Sequence, residues 1–483
     1  MFHHARPYGH SGRGSVLMPP AFRREFAMTV TSTASDREIC TPLPVLGRDV
    51  SVPLVTGGEV TYAALDYAAS APALQRVWDD VAAYAPYYGS VHRGAGYLSQ
   101  LSTDLFEQSR ETVARFLGCR DEGDQVIFTR STTDSLNLLA AALPAGTRVF
   151  VFETEHHASL LPWERAQDAQ VTYLAAPRTP EQAVAALDVA LHGAPKGPKL
   201  VCVTGASNVT GEIWPVRELA AAAHRHGARI VLDAAQLAPH HPVDIAALDV
   251  DWVAFSGHKL YAPFGAGVLA GRADWLREAA PYLAGGGATR KVVRSGAGVE
   301  VEWHDTAARH EAGSPNVIGV YAIASACKAL TEAGFDTLVE RERALLGLLR
   351  DGLAQIPEVR VLSLFGEASE RVGVLSFVVQ GWNSSHFAAA LSAEYGIGVR
   401  DGLFCAHPLV RTLLGGEPDE PGECGAPDAA PGERALNAIR VSFGVGTPEQ
   451  HVLRFLAAVG ALVRDGAAWR YRTEDGRCVP ARD

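Results

Sequence analysis

Lysine is nearly missing from this sequence. Of 43 basic residues only five are Lys, at positions 196, 199, 259, 291 and 328, and the other 38 are Arg. Cysteine is scarce too: seven residues, at 40, 119, 202, 327, 405, 424 and 478, an odd number with no CxxC pair. That excludes a disulfide framework or a structural zinc site and fits a reducing, cytoplasmic setting, so no metal is expected. No apolar run reaches the length of a membrane span. The first 27 residues lack the apolar core of a signal peptide, so they read as a disordered leader or an upstream start ahead of Met28. No basic stripe is present and the net charge is −11, so neither nucleic acid nor membrane is an expected partner. With 47% hydrophobic and 20% charged residues, collagen-like, low-complexity and wholly disordered chains are excluded as well.

What is present is an alternation. Short apolar runs at 127–130, 148–152, 171–175 and 199–204 each precede a helical pattern, at 134–142, 158–167, 181–191 and 215–226. Further strands follow at 229–233, 251–256 and 266–271. Continuous apolar strands separated by helices predict an α/β domain whose mostly parallel, seven-stranded sheet is covered on both faces. After residue 316 the pattern changes to helices at 317–333, 336–355, 384–395 and 447–464, with strands at 358–363, 373–379 and 438–443. This predicts a smaller α+β domain. The expected organisation is a leader and linker over 1–58, a large domain over 59–315, a small C-terminal domain over 316–465 and a polar tail over 466–483. Within the small domain, residues 414–433 form an acidic Gly/Pro-rich insertion, read as either a surface loop or a lid.

Chemistry gathers where strands end. Lys259 follows the strand DWVAF in SGHKLYAPFG, a position poorly explained by solubility in so lysine-poor a chain, and its amine could form a Schiff base with a carbonyl cofactor. Asp233 closes VLD, where a carboxylate could hold a protonated ring nitrogen or simply cap a helix. Ser131, Thr132 and Thr133 open an apolar helix, forming either an anion site for a phosphate ester or a capping cluster. His156 follows another strand end, where an imidazole could stack on a flat ring, shuttle a proton or be structural.

The motifs LDYAASAP, VHRGAGYLS, STTDSLN, EHHASLLPW, SNVTGE, VLDAAQ, SGHKLYAPFG, EAGSPN and VRDGLFCAHPL run in this order from Leu65 to Leu409. The set resembles the class V aminotransferase family, of fold type I, and within it the SufS-like cysteine desulfurase/selenocysteine lyase branch. The resemblance spans about 62–465. It implies pyridoxal 5′-phosphate (PLP) as cofactor, with Lys259 as its Schiff-base lysine and proton shuttle. Asp233 matches the partner of the ring nitrogen, Gln236 the partner of the phenolic oxygen, His156 the stacking imidazole and Asn208 a neighbour of the cofactor. Thr132, Thr133, Ser256 and His258 fall where phosphate contacts come from. Ser314 matches a hydroxyl that reaches the other subunit's phosphate, which implies a homodimer with shared active sites.

Arg440, in NAIRVSFG, matches the arginine that grips a substrate α-carboxylate, and Arg400 and His92 fall at further substrate positions. Cys405 aligns with the thiol that takes sulfur from a small amino-acid substrate, leaving a persulfide and alanine, before a sulfur-acceptor protein collects it. The implied activity is that of a cysteine desulfurase or selenocysteine lyase. The sequence departs from the branch just before Cys405, where Leu403 and Phe404 replace the usual histidines and Asp401 is acidic. The insertion between Cys405 and Arg440 is a second departure. An alternative therefore stands beside the first reading: a PLP-dependent C–S lyase, aminotransferase or epimerase acting on a specialised amino acid. A PLP-fold binding protein without activity is a third reading, disfavoured because every catalytic position is filled.

Overall fold

Seven strands form the central sheet, in the spatial order Asp124–Thr129, Gly267–Arg272, Trp252–Ser256, Arg229–Asp233, Lys199–Thr204, Arg148–Phe152 and Gln170–Leu174. In this computed structural model the described residues are 42–92, 94–120, 123–166, 168–415, 437–474 and 477–481. All belong to one compact unit, Cys40–Asp483. The first 41 residues of the expected leader, and the insertion from 416 onward, lie outside the described residues.

The inner strands are apolar along their whole length because both faces are covered. Trp252–Ser256 is buried at every position, as is Arg229–Asp233 after its first residue. One face packs Phe150, Val201, Ile230 and Val253 against the helices Val216–Arg225 and Val317–Ala333, and the other packs Val151, Cys202, Val231 and Trp252 against Leu136, Leu139 and Trp163. Five strands run parallel from Gln170–Leu174 across to Trp252–Ser256. Gly267–Arg272 is antiparallel to both of its neighbours. It follows Trp252–Ser256 through a connection without a crossover helix, and that allows only a return in the opposite direction.

Several segments differ from the sequence patterns. The helix expected over 158–167 is only His157–Leu160, followed by a 3₁₀ turn at Pro162–Arg165. Pro162 has no N–H to continue the helix, and its ring forces the break. The helices Gln75–Tyr84 and Tyr97–Phe116 and the exposed hairpin Thr289–Ser295/Gly298–Trp303 were not assigned from the sequence. Tyr97–Phe116 buries Ser99, Ser102, Ser109 and Thr112 among its inward residues, which dilutes the apolar stripe. Those hydroxyls are paired instead, Ser109 and Thr112 donating to carbonyls one turn back and Ser102 bonding Tyr84 at 2.7 Å. Beyond residue 466 the chain forms a second hairpin, Tyr471–Glu474 with Arg477–Pro480, fastened where Glu394 accepts from the Ala468 and Trp469 N–H groups and the Tyr471 hydroxyl.

The C-terminal region has a four-stranded antiparallel sheet ordered Val359–Val361, Val374–Val379, Ala438–Ser442, Arg400–Gly402. Its last pairing sets Arg400 directly opposite Arg440. The Ser442 N–H donates to the Leu65 carbonyl at 2.8 Å, and the Leu65 N–H donates to the Gly398 carbonyl at 2.8 Å. That brings Asp66 to the same place. No single described helix is long and apolar enough to cross a membrane.

Candidate active site

The parallel strands deliver their chemistry at one edge, beyond their carboxyl ends, where an open α/β sheet leaves a crevice. Asp233, the last residue of its strand, is buried and fixed by two donors. The Ser159 hydroxyl donates to Oδ2 at 2.5 Å and the Ala235 N–H to Oδ1 at 2.9 Å. Three residues on, Gln236 is buried and donates through Nε2 to the Ala68 carbonyl at 2.8 Å. On the next strand Ser256 meets the start of the helix Thr132–Ala141: its hydroxyl accepts the Thr132 N–H at 2.7 Å and bonds the Thr132 hydroxyl at 2.7 Å. Gly267 permits this approach, since a Cβ there would sit 2.6 Å from the Ser131 backbone. Thr132 is buried, and Thr133 is exposed at the same helix start.

Lys259 stands in the turn after Ser256, and among the described residues no hydrogen bond or ion pair occupies its amine. Burial pulls this amine down to about 8, with Asp233 favouring the charged form and Arg440 opposing it. It is therefore partly neutral, and nucleophilic, near neutral pH. His258 beside it is also held low, by burial and by Lys259. His156 accepts the Ala158 N–H on Nδ1 at 3.0 Å, and burial together with Lys259 brings its imidazole down to about 3. The ring is neutral at physiological pH.

Arg440 forms the opposite wall and is buried. It donates to the Asn208 carbonyl at 3.0 Å and to Asp66 Oδ1 at 3.1 Å, while its Nε has no partner among the described residues. Arg400 approaches the other Asp66 oxygen at 3.5 Å from the mouth of the crevice. The Asn208 side chain reaches across to donate to the Phe404 carbonyl at 2.8 Å. Cys405 follows, exposed, with its carbonyl accepting the His157 N–H at 2.8 Å. Phe404 and Cys405 both adopt left-handed backbone, φ +53° and +52°, at roughly 1–2 kcal/mol each for residues with a side chain. The rings of His157 and His407 meet edge to face, 4.5 Å apart.

The crevice thus gathers Lys259, Cys405, His156, Asn208, Asp233, Gln236, Ser256, His258, Thr132, Arg440 and Arg400. It does not gather His92 and Ser314. His92 is exposed, with φ +67°, and pairs with Glu107 on the helix Tyr97–Phe116 at 2.8 Å. Ser314 is exposed in the loop before Val317–Ala333.

Three further residues belong to the site and were not singled out from the sequence: Asp66, Ser159 and Glu155. Asp66 stands inside a quoted motif but gains meaning only from the two arginines that reach it. Ser159 lies one turn beyond His156, a spacing that puts both on one side of a short helix. Glu155 is fully buried. One oxygen accepts the Thr204 N–H at 2.9 Å and the other has no partner among the described residues. Burial, with the Asp233 charge adding to it, holds its carboxyl well above the usual carboxylate range.

Comparison with known proteins places this arrangement among relatives. The model of the family described as Aminotransferase class-V matches residues 63–455. A probable cysteine desulfurase of Vibrio cholerae is 35% identical over 422 residues, covering 84% of this chain and 94% of that protein. A cysteine desulfurase of Yersinia pestis is 36% identical over 376 residues, covering 76% and 88%. Among solved structures, the cysteine desulfurase CsdA of Escherichia coli superposes with a TM-score of 0.69 at 30% identity, covering 83% of this chain and 94% of that one. An apo cysteine desulfurase of Thermococcus onnurineus gives 0.71 at 30% identity, with 83% and 95% covered.

Proposed function

The chain belongs to the aminotransferase class-V family, and from that premise we propose that it is a PLP-dependent cysteine desulfurase of the cysteine desulfurase/selenocysteine lyase branch. The observation that carries this reading is the convergence on one crevice of an amine with no partner among the described residues, a buried carboxylate, a buried guanidinium and an exposed thiol. The donor set fits the cofactor. Asp233 would keep its ring nitrogen protonated, neutral His156 would lie against its ring, and Gln236 and Asn208 would border it. Thr132, Thr133, Ser256 and His258 would surround its phosphate, and Lys259 would bind its aldehyde carbon. When bound, the cofactor withdraws electrons from the substrate's Cα and weakens the bonds there.

The protein's residues do the rest. Arg440 binds the α-carboxylate through the edge of its guanidinium, and Arg400 adds positive charge at the mouth. Lys259, poised between its two protonation states, moves the proton at Cα. The Cys405 thiolate attacks the substrate sulfur and keeps it as a persulfide, while the Cβ–S bond breaks with its electron pair left on carbon, which takes up a proton so that alanine is released. Its exposure suits delivery to an acceptor protein. The exposed Ser314 supports a homodimer in which that hydroxyl serves the second active site, and the expected setting is cytoplasmic.

The test is to incubate the PLP-loaded protein with L-cysteine and L-selenocysteine and to measure alanine, pyruvate and sulfide together. Alanine with a persulfide on Cys405 is the expected outcome. Pyruvate and free sulfide, unchanged in Cys405→Ala, would instead establish a C–S lyase, the reading favoured by the apolar pair Leu403 and Phe404 ahead of the thiol.

A further inference from the structure

We propose that Phe404 is a positioning residue for the carboxylate subsite: its ring shields one face of the Arg440 guanidinium and so tightens the arginine's hold on an amino-acid carboxylate. The inference rests on the reading of Arg440 given above. The Arg440 Cζ lies 5.1 Å from the Phe404 ring centroid, within the range of an attractive cation–π contact. A planar guanidinium takes a carboxylate along its edge, so a ring on its face excludes water without competing for the ligand. With water removed from that face, each charge-assisted hydrogen bond at the edge gains strength.

The ring is held there by the backbone. Asn208 fixes both partners at once, its carbonyl accepting from Arg440 at 3.0 Å and its side-chain amide donating to the Phe404 carbonyl at 2.8 Å. The Ala406 N–H closes the turn onto the Leu403 carbonyl at 2.9 Å, and the His157 N–H holds the next carbonyl, that of Cys405. Phe404 and Cys405 are kept in left-handed conformations by these contacts. A backbone so constrained, and disfavoured for both residues, is the kind of local strain that accompanies a positioned side chain. The position is occupied by an aromatic residue although the thiol next to it gains no polarity from it. A shield for Arg440 accounts for that choice.

The experiment uses the PLP-loaded enzyme and three variants, Phe404→Leu, Phe404→Ala and Phe404→Tyr. Binding of L-alanine and of L-alaninamide, which lacks the carboxylate, is followed by titration of the cofactor absorbance. Loss of the ring in the Leu variant should weaken L-alanine binding about two- to tenfold and leave L-alaninamide binding unchanged, while Tyr restores the wild-type value. The Ala variant should weaken L-alanine at least as much as Leu. With L-cysteine the loss should appear in KM and not in kcat. Wild-type L-alanine affinity in the Leu variant would overturn the proposal, as would an equal loss for L-alaninamide, since that would reveal a general disturbance of the turn. Failure to make alanine from cysteine would refute the desulfurase reading and leave this comparison of two ligands intact.

Discussion

The two halves of the site are built in opposite ways. At the sheet edge, Asp233, Ser256 and Thr132 are buried at strand and helix ends, each locked by short hydrogen bonds to neighbours on adjacent elements. Across the crevice, Cys405 is exposed on a turn of left-handed residues whose carbonyls are held by Asn208 and His157, distant in sequence. The first half takes its precision from secondary structure, and the second from tertiary contacts that hold an unfavourable backbone. This difference suits the division of labour. On the proposed reading, groups that would orient a cofactor gain from rigidity, while a thiol that would hand sulfur on gains from standing at the surface.

The largest effects should break the halves apart. Lys259→Ala should lower turnover about a thousandfold or more, with loss of the Schiff-base absorbance of bound PLP. Cys405→Ala should abolish persulfide formation, detected by mass spectrometry, yet keep that absorbance and the melting temperature. A fall in cofactor occupancy with the cysteine substitution would show that the halves are not independent. Next comes packing. Gly267→Ala places a methyl against the Ser131 backbone, so a loss of about 1–3 kcal/mol in denaturant unfolding is expected, together with weaker PLP retention.

A smaller effect sharpens the electrostatic side. The rate at which PLP-free protein captures PLP should rise with pH through a midpoint of about 8, because only the neutral Lys259 amine attacks the aldehyde. Asp233 favours the ammonium form, so Asp233→Asn should move that midpoint downward. Arg440 opposes it, so Arg440→Gln should move the midpoint upward. A midpoint near the ordinary lysine value of 10.5 in all three proteins would remove burial as the cause. The least effect is expected from Ser159→Ala. It removes one of the two donors that fix Asp233, a net contribution of about 0.5–1.5 kcal/mol, and should appear mainly as slower turnover and faster PLP loss on dialysis.

The order of strands and helices through the large domain was legible because burial on both faces demands unbroken apolar runs. RVFVF, KLVCVT and RIVLD begin and end where the strands do. Lys259, Asp233, His156 and Thr132 were legible for the same reason, since a polar residue just past such a run lies at the sheet edge. The helix Tyr97–Phe116 was not, because its buried hydroxyls hide the periodicity, and the helix at His157 is shorter than its apolar pattern because Pro162 stops it. Asp66 and Glu155 were missed because their roles depend on partners hundreds or tens of residues away.

By itself, then, the sequence determined the α/β class and its family, along with the residues standing at each strand's carboxyl end. These follow from local patterns of burial and from motifs in a fixed order. Only the tertiary structure decided that Asp66 bridges Arg400 and Arg440, that burial raises the Glu155 carboxyl beside Asp233, and that Phe404 lies on the Arg440 guanidinium. Each depends on burial and on the distance between groups far apart in the chain. Those quantities are fixed only once the chain has folded.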